Sequence, residues 1–188
     1  MLFRSLLAAA GLCFVVAPAA IDEAELRLGL LAEGAPARDI ADALAELKAL
    51  RVSRNHAGKL VLGADQVLDF EGKLFEKPKD LTEARAHLTA LAGKTHTLYS
   101  AAVAARDGAV IWRHVASAQL HMRALTPDFI EAYLAAAGDN VLASVGAYAL
   151  EGLGAQLFTR IEGDYFTVLG LPLLPVLDFL RAQKAIPA

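Results

Sequence analysis

The chain has 188 residues, 56% hydrophobic and 21% charged, a globular balance that is long enough for one sizeable core and unlike that of a disordered segment. A net charge of −3 supplies no long-range positive field, which argues against a nucleic-acid polymer as partner. The single cysteine, Cys13, excludes an internal disulfide and any Cys₂ or Cys₄ zinc site, and no histidine pair has H-x-x-x-H or H-E-x-x-H spacing.

The first twenty residues admit two readings. Arg4, the apolar stretch Leu6–Val16 and the small residues Ala17-Pro18-Ala19-Ala20 have the layout of an export signal. The same residues also read as a helix with Leu6, Leu7 and Ala10 on one face and Gly11 just past its end, followed by a short buried strand, Leu12–Val16, stopped by Pro18. No run reaches the roughly 20 apolar residues that a membrane-spanning helix needs.

Ile21-Asp22-Glu23 is a short acidic turn, and residues 24–34 are helix-prone up to Gly34. After the break at Ala35-Pro36-Ala37, Asp39 is expected to cap a helix to about Ser53, with Ile40, Ala43, Leu44, Leu47 and Leu50 on one face. A turn at Asn55–Lys59 precedes a strand over Lys59–Leu68, whose Leu60-Val61-Leu62 suits burial on both faces. Glu71-Gly72-Lys73 reads as a hairpin turn, and Glu76-Lys77-Pro78 ends the next extended piece. Thr82 is expected to cap a helix with Ala84, Leu88 and Leu91 inward and Gly93 at its close.

Three strands are expected next, over Thr95–Arg106 and Ala109–His121 with Asp107-Gly108 as a turn and a break in the longer run. Thr126-Pro127 opens a helix through Ala137, Asn140–Tyr148 is irregular, and Gln156–Glu162 and Tyr165–Leu169 read as strands around a Gly163-Asp164 turn. Pro172 starts a last helix through about Gln183. Helices alternate with strands and one hairpin is antiparallel, so the expected fold is α/β: a mixed twisted sheet flanked by helices, in a single domain over residues 1–188.

Asp65 is the leading chemical candidate. It follows the apolar run Leu60–Ala64, where a carboxylate is costly unless paired, metal-bound or facing a cleft. Clefts in α/β sheets lie at the carboxyl ends of strands, and Gly63 and Ala64 leave room for a ligand near the backbone. Lys77 lies twelve residues further on, close enough to return through a hairpin and supply the positive charge that phosphate chemistry uses. Asp22-Glu23 reads either as a source of metal ligands or as an exposed turn, and Lys48 as an exposed helix lysine. Gly146-Ala147-Tyr148 and Glu151-Gly152-Leu153-Gly154 form a glycine-bearing loop suited to close ligand approach. Neither the P-loop pattern nor the dinucleotide fingerprint G-x-G-x-x-G is present.

Taken in order, Arg4-Ser5-Leu6-Leu7, Ile21-Asp22-Glu23, Leu44–Ala49, Gly63-Ala64-Asp65-Gln66-Val67, Glu76-Lys77-Pro78, Leu91–His96, Gly146-Ala147-Tyr148, Glu151–Gly154 and Gly163-Asp164-Tyr165 with Gly170–Leu173 resemble the Maf family of nucleoside triphosphate pyrophosphatases. The resemblance covers nearly the whole chain. It implies a Maf/ITPase-like fold with a cleft between two lobes, and hydrolysis of noncanonical or modified nucleoside triphosphates to monophosphate and pyrophosphate with a divalent metal, Mg²⁺ or Mn²⁺. It implies that Asp65 activates water, that Glu23 and Asp65 hold the metal, and that Lys48 and Lys77 bind phosphate. Gln66 and Glu151 fall where the family sets base specificity, and this pair resembles the 7-methyl-GTP subgroup rather than the dTTP/UTP subgroup, which has Thr and Gln there. A cytoplasmic location is implied, against the export signal, and family members are often homodimers. Members usually open with a strand and an L-A-S-x-S-x-x-R loop. Here the sequence starts Met1-Leu2-Phe3-Arg4, so Arg4 is expected to be the remnant of that phosphate-binding loop. The alternative expectation is a nucleotide-binding or regulatory protein with little catalysis.

Overall fold

The computed structural model describes residues 2–187. Among the described residues, seven α-helices and five strands follow the order α1 (Leu2–Ala9), α2 (Glu23–Ala32), α3 (Ala37–Ser53), β1 (Val61–Phe70), β2 (Lys73–Phe75), α4 (Leu81–Leu91), β3 (Thr95–Arg106), β4 (Ala109–Met122), α5 (Pro127–Ala137), β5 (Phe158–Glu162), α6 (Tyr165–Val168) and α7 (Leu173–Ala182), with short 3₁₀ segments between α5 and β5. The expected α/β fold is present. The strands form one sheet in the order β2-β1-β3-β4-β5, and the β1–β2 and β4–β5 pairings are antiparallel. Among the described residues, no helix is long and apolar enough to cross a membrane.

The chain divides into two compact units. The first holds the residues up to Gln66, Tyr99–Ala116, and those from Asp164 onward; the second holds Val67–Leu98 and Ser117–Gly163. The division falls within β1, β3 and β4.

Local chemistry accounts for most element ends. Gly11 N–H donates to Ala8 O (2.9 Å) and Leu12 N–H to Leu7 O (3.1 Å), the paired bonds of a helix end with glycine in the left-handed region. The same pair closes α2 at Gly34 and Ala35. Asp22 caps α2 by accepting from Glu25 N–H (3.0 Å), and Thr126 caps α5 through Phe129 N–H (3.2 Å). Glu71-Gly72 and Asp107-Gly108 all have positive φ, the geometry of a two-residue hairpin whose twist matches its strands.

Several expectations need correction. Leu12–Val16 is not a strand. Leu12 N–H is taken by the end of α1, and Val15 is 94% exposed with Phe14 and Val16 also open; an apolar run without a neighbouring strand has no ladder to join. The cap of α4 is Asp80, which accepts from Glu83 N–H (2.8 Å), not Thr82. β3 and β4 are two unbroken strands where three were expected. Tyr165–Leu169 is helical rather than extended, because Asp164 accepts from the N–H groups of both Phe166 (2.9 Å) and Thr167 (3.1 Å) and so nucleates a turn. α3 starts at Ala37, two residues ahead of Asp39.

In the first unit, successive β1 side chains take opposite faces. Ala64 packs with Ala102 and Ala104 of β3, Leu7 of α1, and Leu173, Val176, Phe179 and Leu180 of α7. Gly63 faces α3, where an added Cβ would strike the carbonyl of Ala45 and come within 2.7 Å of Ala49 N. Ala45 and Ala49 are fully buried, so small residues on both sides let helix and strand backbones touch. In the second unit, α4 buries Ala84, Leu88 and Leu91 as expected. His96 and Tyr148 form a buried polar pair there, with His96 Nε2 2.6 Å from Tyr148 Oη.

Candidate functional site

The contact of α3 with β1 at Gly63 sets the geometry of the first unit's charged cluster. Two residues beyond Gly63, Asp65 lies on the same strand face. Lys48 lies three residues beyond Ala45 on α3, so it projects beside the helix's contact with the strand. Lys48 Nζ donates to Asp65 Oδ1 at 2.6 Å and meets Glu23 Oε2 at 2.9 Å. Glu23 is in the first turn of α2, next to Asp22. The acidic pair therefore divides its work: Asp22 caps the helix, and Glu23 reaches the lysine.

Burial decides the electrostatics. The Asp65 side chain is 10% exposed, Lys48 21% and Glu23 42%. Burial pushes the Asp65 carboxyl above its ordinary value, against the opposing pull of Lys48; Glu23 adds to the rise, and Arg27 opposes it. Lys48 loses some of its preference for charge to burial, yet pairing with Asp65 and Glu23 outweighs that and holds its ammonium above the ordinary value. The two directions agree once burial is counted, because the more deeply buried partner is the one whose charge is penalised.

Two sequence expectations change here. Lys48 is not an exposed helix lysine but the centre of the cluster. Asp65 is not at a strand end, since β1 continues to Phe70. Arg27 was not anticipated. Its signal was available in the i,i+4 spacing from Glu23, which puts the two on one face of α2.

Gln66, adjacent in sequence, turns to the opposite face of β1. Its amide nitrogen lies 3.0 Å from each of Ser100 Oγ, Thr167 O and Val168 O, while Ser100 Oγ donates to Thr167 O at 2.7 Å. Carbonyl oxygens only accept, so this fixes the amide with its nitrogen toward α6 and Oε1 turned away. Ser100 and Thr167 are fully buried. Arg4 lies on α1, partly buried, in the same unit. Lys77 and Glu151 belong to the second unit, where both are exposed: Lys77 between β2 and α4, and Glu151 in the glycine-bearing loop. That loop holds Ala147 at φ 62°, fully buried, with Tyr133 Oη donating to its carbonyl at 3.3 Å.

Among the described residues, no three His, Cys, Asp or Glu side chains group closely enough to cage a metal. Glu23 and Asp65 suit the other arrangement, in which Mg²⁺ takes one or two carboxylates and completes its shell with phosphate oxygens and water. That these two carboxylates meet on a single cationic nitrogen shows that they can share one cation.

The sequence profile of Maf-like proteins matches residues 4–183. The chain is 56% identical over 185 residues to a nucleoside triphosphate pyrophosphatase of Hyphomonas neptunium, covering 98% of this chain and 92% of that one. It is 53% identical over 172 residues to a protein of the same name in Paramagnetospirillum magneticum, covering 92% and 89%. It is 51% identical over 185 residues to a 7-methyl-GTP pyrophosphatase of Rhizobium meliloti, covering 98% and 93%.

Proposed function

This chain belongs to the Maf family, and from that premise we propose that it is a nucleoside triphosphate pyrophosphatase, a hydrolase that converts a nucleoside triphosphate to the monophosphate and pyrophosphate. The observation that carries the assignment is the cluster Glu23–Lys48–Asp65. It gathers in one place the groups that anhydride hydrolysis needs: a carboxylate to accept a proton, and positive charge to meet phosphate.

Hydrolysis breaks the α–β anhydride. Water supplies the new oxygen, one of its protons passes to a base, and pyrophosphate leaves. We assign the base to Asp65. Burial raises its proton affinity, which makes it a better acceptor than an ordinary carboxylate. Before nucleotide binds, the Lys48 bond to Oδ1 orients the carboxyl. Lys48 neutralises phosphate charge, and we assign the same task to the exposed Lys77 and to Arg4. Glu23 and Asp65 would hold Mg²⁺ or Mn²⁺; when bound, such an ion neutralises phosphate oxygens and polarises the anhydride.

Base preference is assigned to Gln66 and Glu151. Glu151 can present its carboxylate oxygens as acceptors. A purine carrying positive charge and ring N–H donors suits such acceptors, so 7-methyl-GTP is the preferred substrate in this proposal. The enzyme is taken to work in the cytoplasm on small nucleotides, without a nucleic-acid polymer or a membrane, and a homodimer is compatible with this.

The test is a panel of 7-methyl-GTP, GTP, UTP and dTTP with Mg²⁺ or Mn²⁺, with both products quantified. Equimolar monophosphate and pyrophosphate, fastest from 7-methyl-GTP, is the expected result. Diphosphate with orthophosphate, or nucleotide binding without turnover, would overturn the assignment; the second outcome would identify a nucleotide-binding protein.

A further inference from the structure

We propose that Lys48 and a divalent cation compete for the same two carboxylates, so that metal enters the Glu23–Asp65 pair only as Lys48 is drawn off it. The inference rests on the pyrophosphatase assignment only for why phosphate would do the drawing. The competition itself rests on the geometry.

Lys48 Nζ is 2.6 Å from Asp65 Oδ1 and 2.9 Å from Glu23 Oε2. These are full hydrogen-bonding distances to both acids at once. A divalent ion bound by the same oxygens would stand about 2–2.6 Å from each, which is the space the ammonium fills. The two cations cannot both hold it. Among the described residues, no third carboxylate or imidazole joins the pair to make a separate metal cage.

α3 is pressed onto β1 where Ala45 and Ala49 meet Gly63, so the bases of Lys48 and Asp65 are fixed relative to one another. The movable part is the lysine stem, four carbons with free rotation. A triphosphate offers the ammonium a new set of anionic oxygens. Once Lys48 turns to them, the carboxylates lose their shared ammonium and become a site of higher affinity for a divalent ion. Lys48 thereby links the two binding events. Linkage makes the coupling reciprocal: nucleotide tightens metal, and metal tightens nucleotide by the same factor.

The experiment measures Mn²⁺ binding to the full chain by the loss of the free-ion electron paramagnetic resonance signal. It is done without nucleotide, then with a nucleoside triphosphate analogue whose α–β bridge is methylene, with the Mn²⁺ held by the analogue in the absence of protein subtracted, and then on Lys48→Met without nucleotide. Wild type should bind Mn²⁺ weakly alone and at least about tenfold more tightly with the analogue, in line with typical coupling factors. Lys48→Met should bind Mn²⁺ alone at least about tenfold more tightly than wild type, and Glu23→Gln added to it should remove the gain. If Lys48→Met is unfolded by circular dichroism, Lys48→Gln, which keeps a donor for Asp65 but no charge, takes its place. Equal Mn²⁺ affinity in wild type and the folded lysine variant would overturn the competition, as would wild-type affinity that the analogue does not change. A chain that binds Mn²⁺ as described but turns over no nucleotide would retain the competition and lose the pyrophosphatase assignment.

Discussion

Replacing Asp65 by Asn separates the cost of the site from its use. The substitution keeps shape and leaves an oxygen that can accept from Lys48, but removes the charge and the proton acceptor. Loss of a positioned general base costs about 10²–10⁴ in rate, or about 3–5 kcal/mol in the barrier. Stability should respond quite differently. The folded state raises the proton affinity of Asp65 because burial outweighs the pull of Lys48. A carboxyl raised in this way favours folding below its ordinary titration range, and that contribution is lost as pH rises through the folded value. Above the folded value the carboxylate therefore adds no net stability, and Lys48 keeps Glu23 at 2.9 Å when Asp65 is neutralised. The change in unfolding free energy is expected to stay within about 1 kcal/mol, far from the roughly 3–5 kcal/mol of a buried pair broken with nothing to replace it. Pyrophosphate release and urea unfolding at pH 7.5 measure the two sides. Activity within about threefold of wild type would remove Asp65 from the base role. A destabilisation of about 3 kcal/mol or more would show that pairing, not burial, controls this carboxylate.

Two further substitutions probe the frame and the second unit. Gly63→Ala places a methyl group against the backbone of α3, 2.7 Å from Ala49 N and closer to the Ala45 carbonyl. Because backbone cannot step aside cheaply, it should cost about 3 kcal/mol in urea unfolding and, by moving Lys48 off Asp65, lower turnover as well; unchanged stability would mean that α3 and β1 are not tightly apposed. His96 is buried against Tyr148, and burial, with His121 nearby, lowers its titration to about 4. The unfolded chain takes the proton near pH 6.5 and the folded chain resists it, so stability should be full above that value. It should then fall by about 1.4 kcal/mol per pH unit as the medium is acidified toward pH 4. Unfolding curves at pH 7.5, 6 and 5 should show that slope in wild type and a shallower one in His96→Gln; equal slopes would acquit His96.

Local signals in the sequence determined most of the elements. Apolar spacing and glycine placed the ends of α1, α2 and α4, Thr126-Pro127 opened α5, and the two-residue turn Asp107-Gly108 fixed the β3–β4 hairpin. These features are legible because the interactions behind them span a few residues. Leu12–Val16 and Tyr165–Leu169 were misread for the complementary reason. A strand exists only when a neighbour takes its backbone bonds, whereas Asp164 can make a helical turn from two local N–H groups. From the residues themselves Asp65 stood out as a carboxylate after an apolar run, and Glu23 and Lys48 were joined to it only through the family resemblance. Its dependence on Lys48, 17 residues away, and on Glu23 was not visible in any spacing. Only tertiary structure decided that dependence, because the lysine reaches the strand through the contact of Ala45 and Ala49 with Gly63. The same holds for Gln66. Sequence sets it beside Asp65, but the alternation of a strand turns it to the other face, where carbonyls folded in from about a hundred residues away hold its amide.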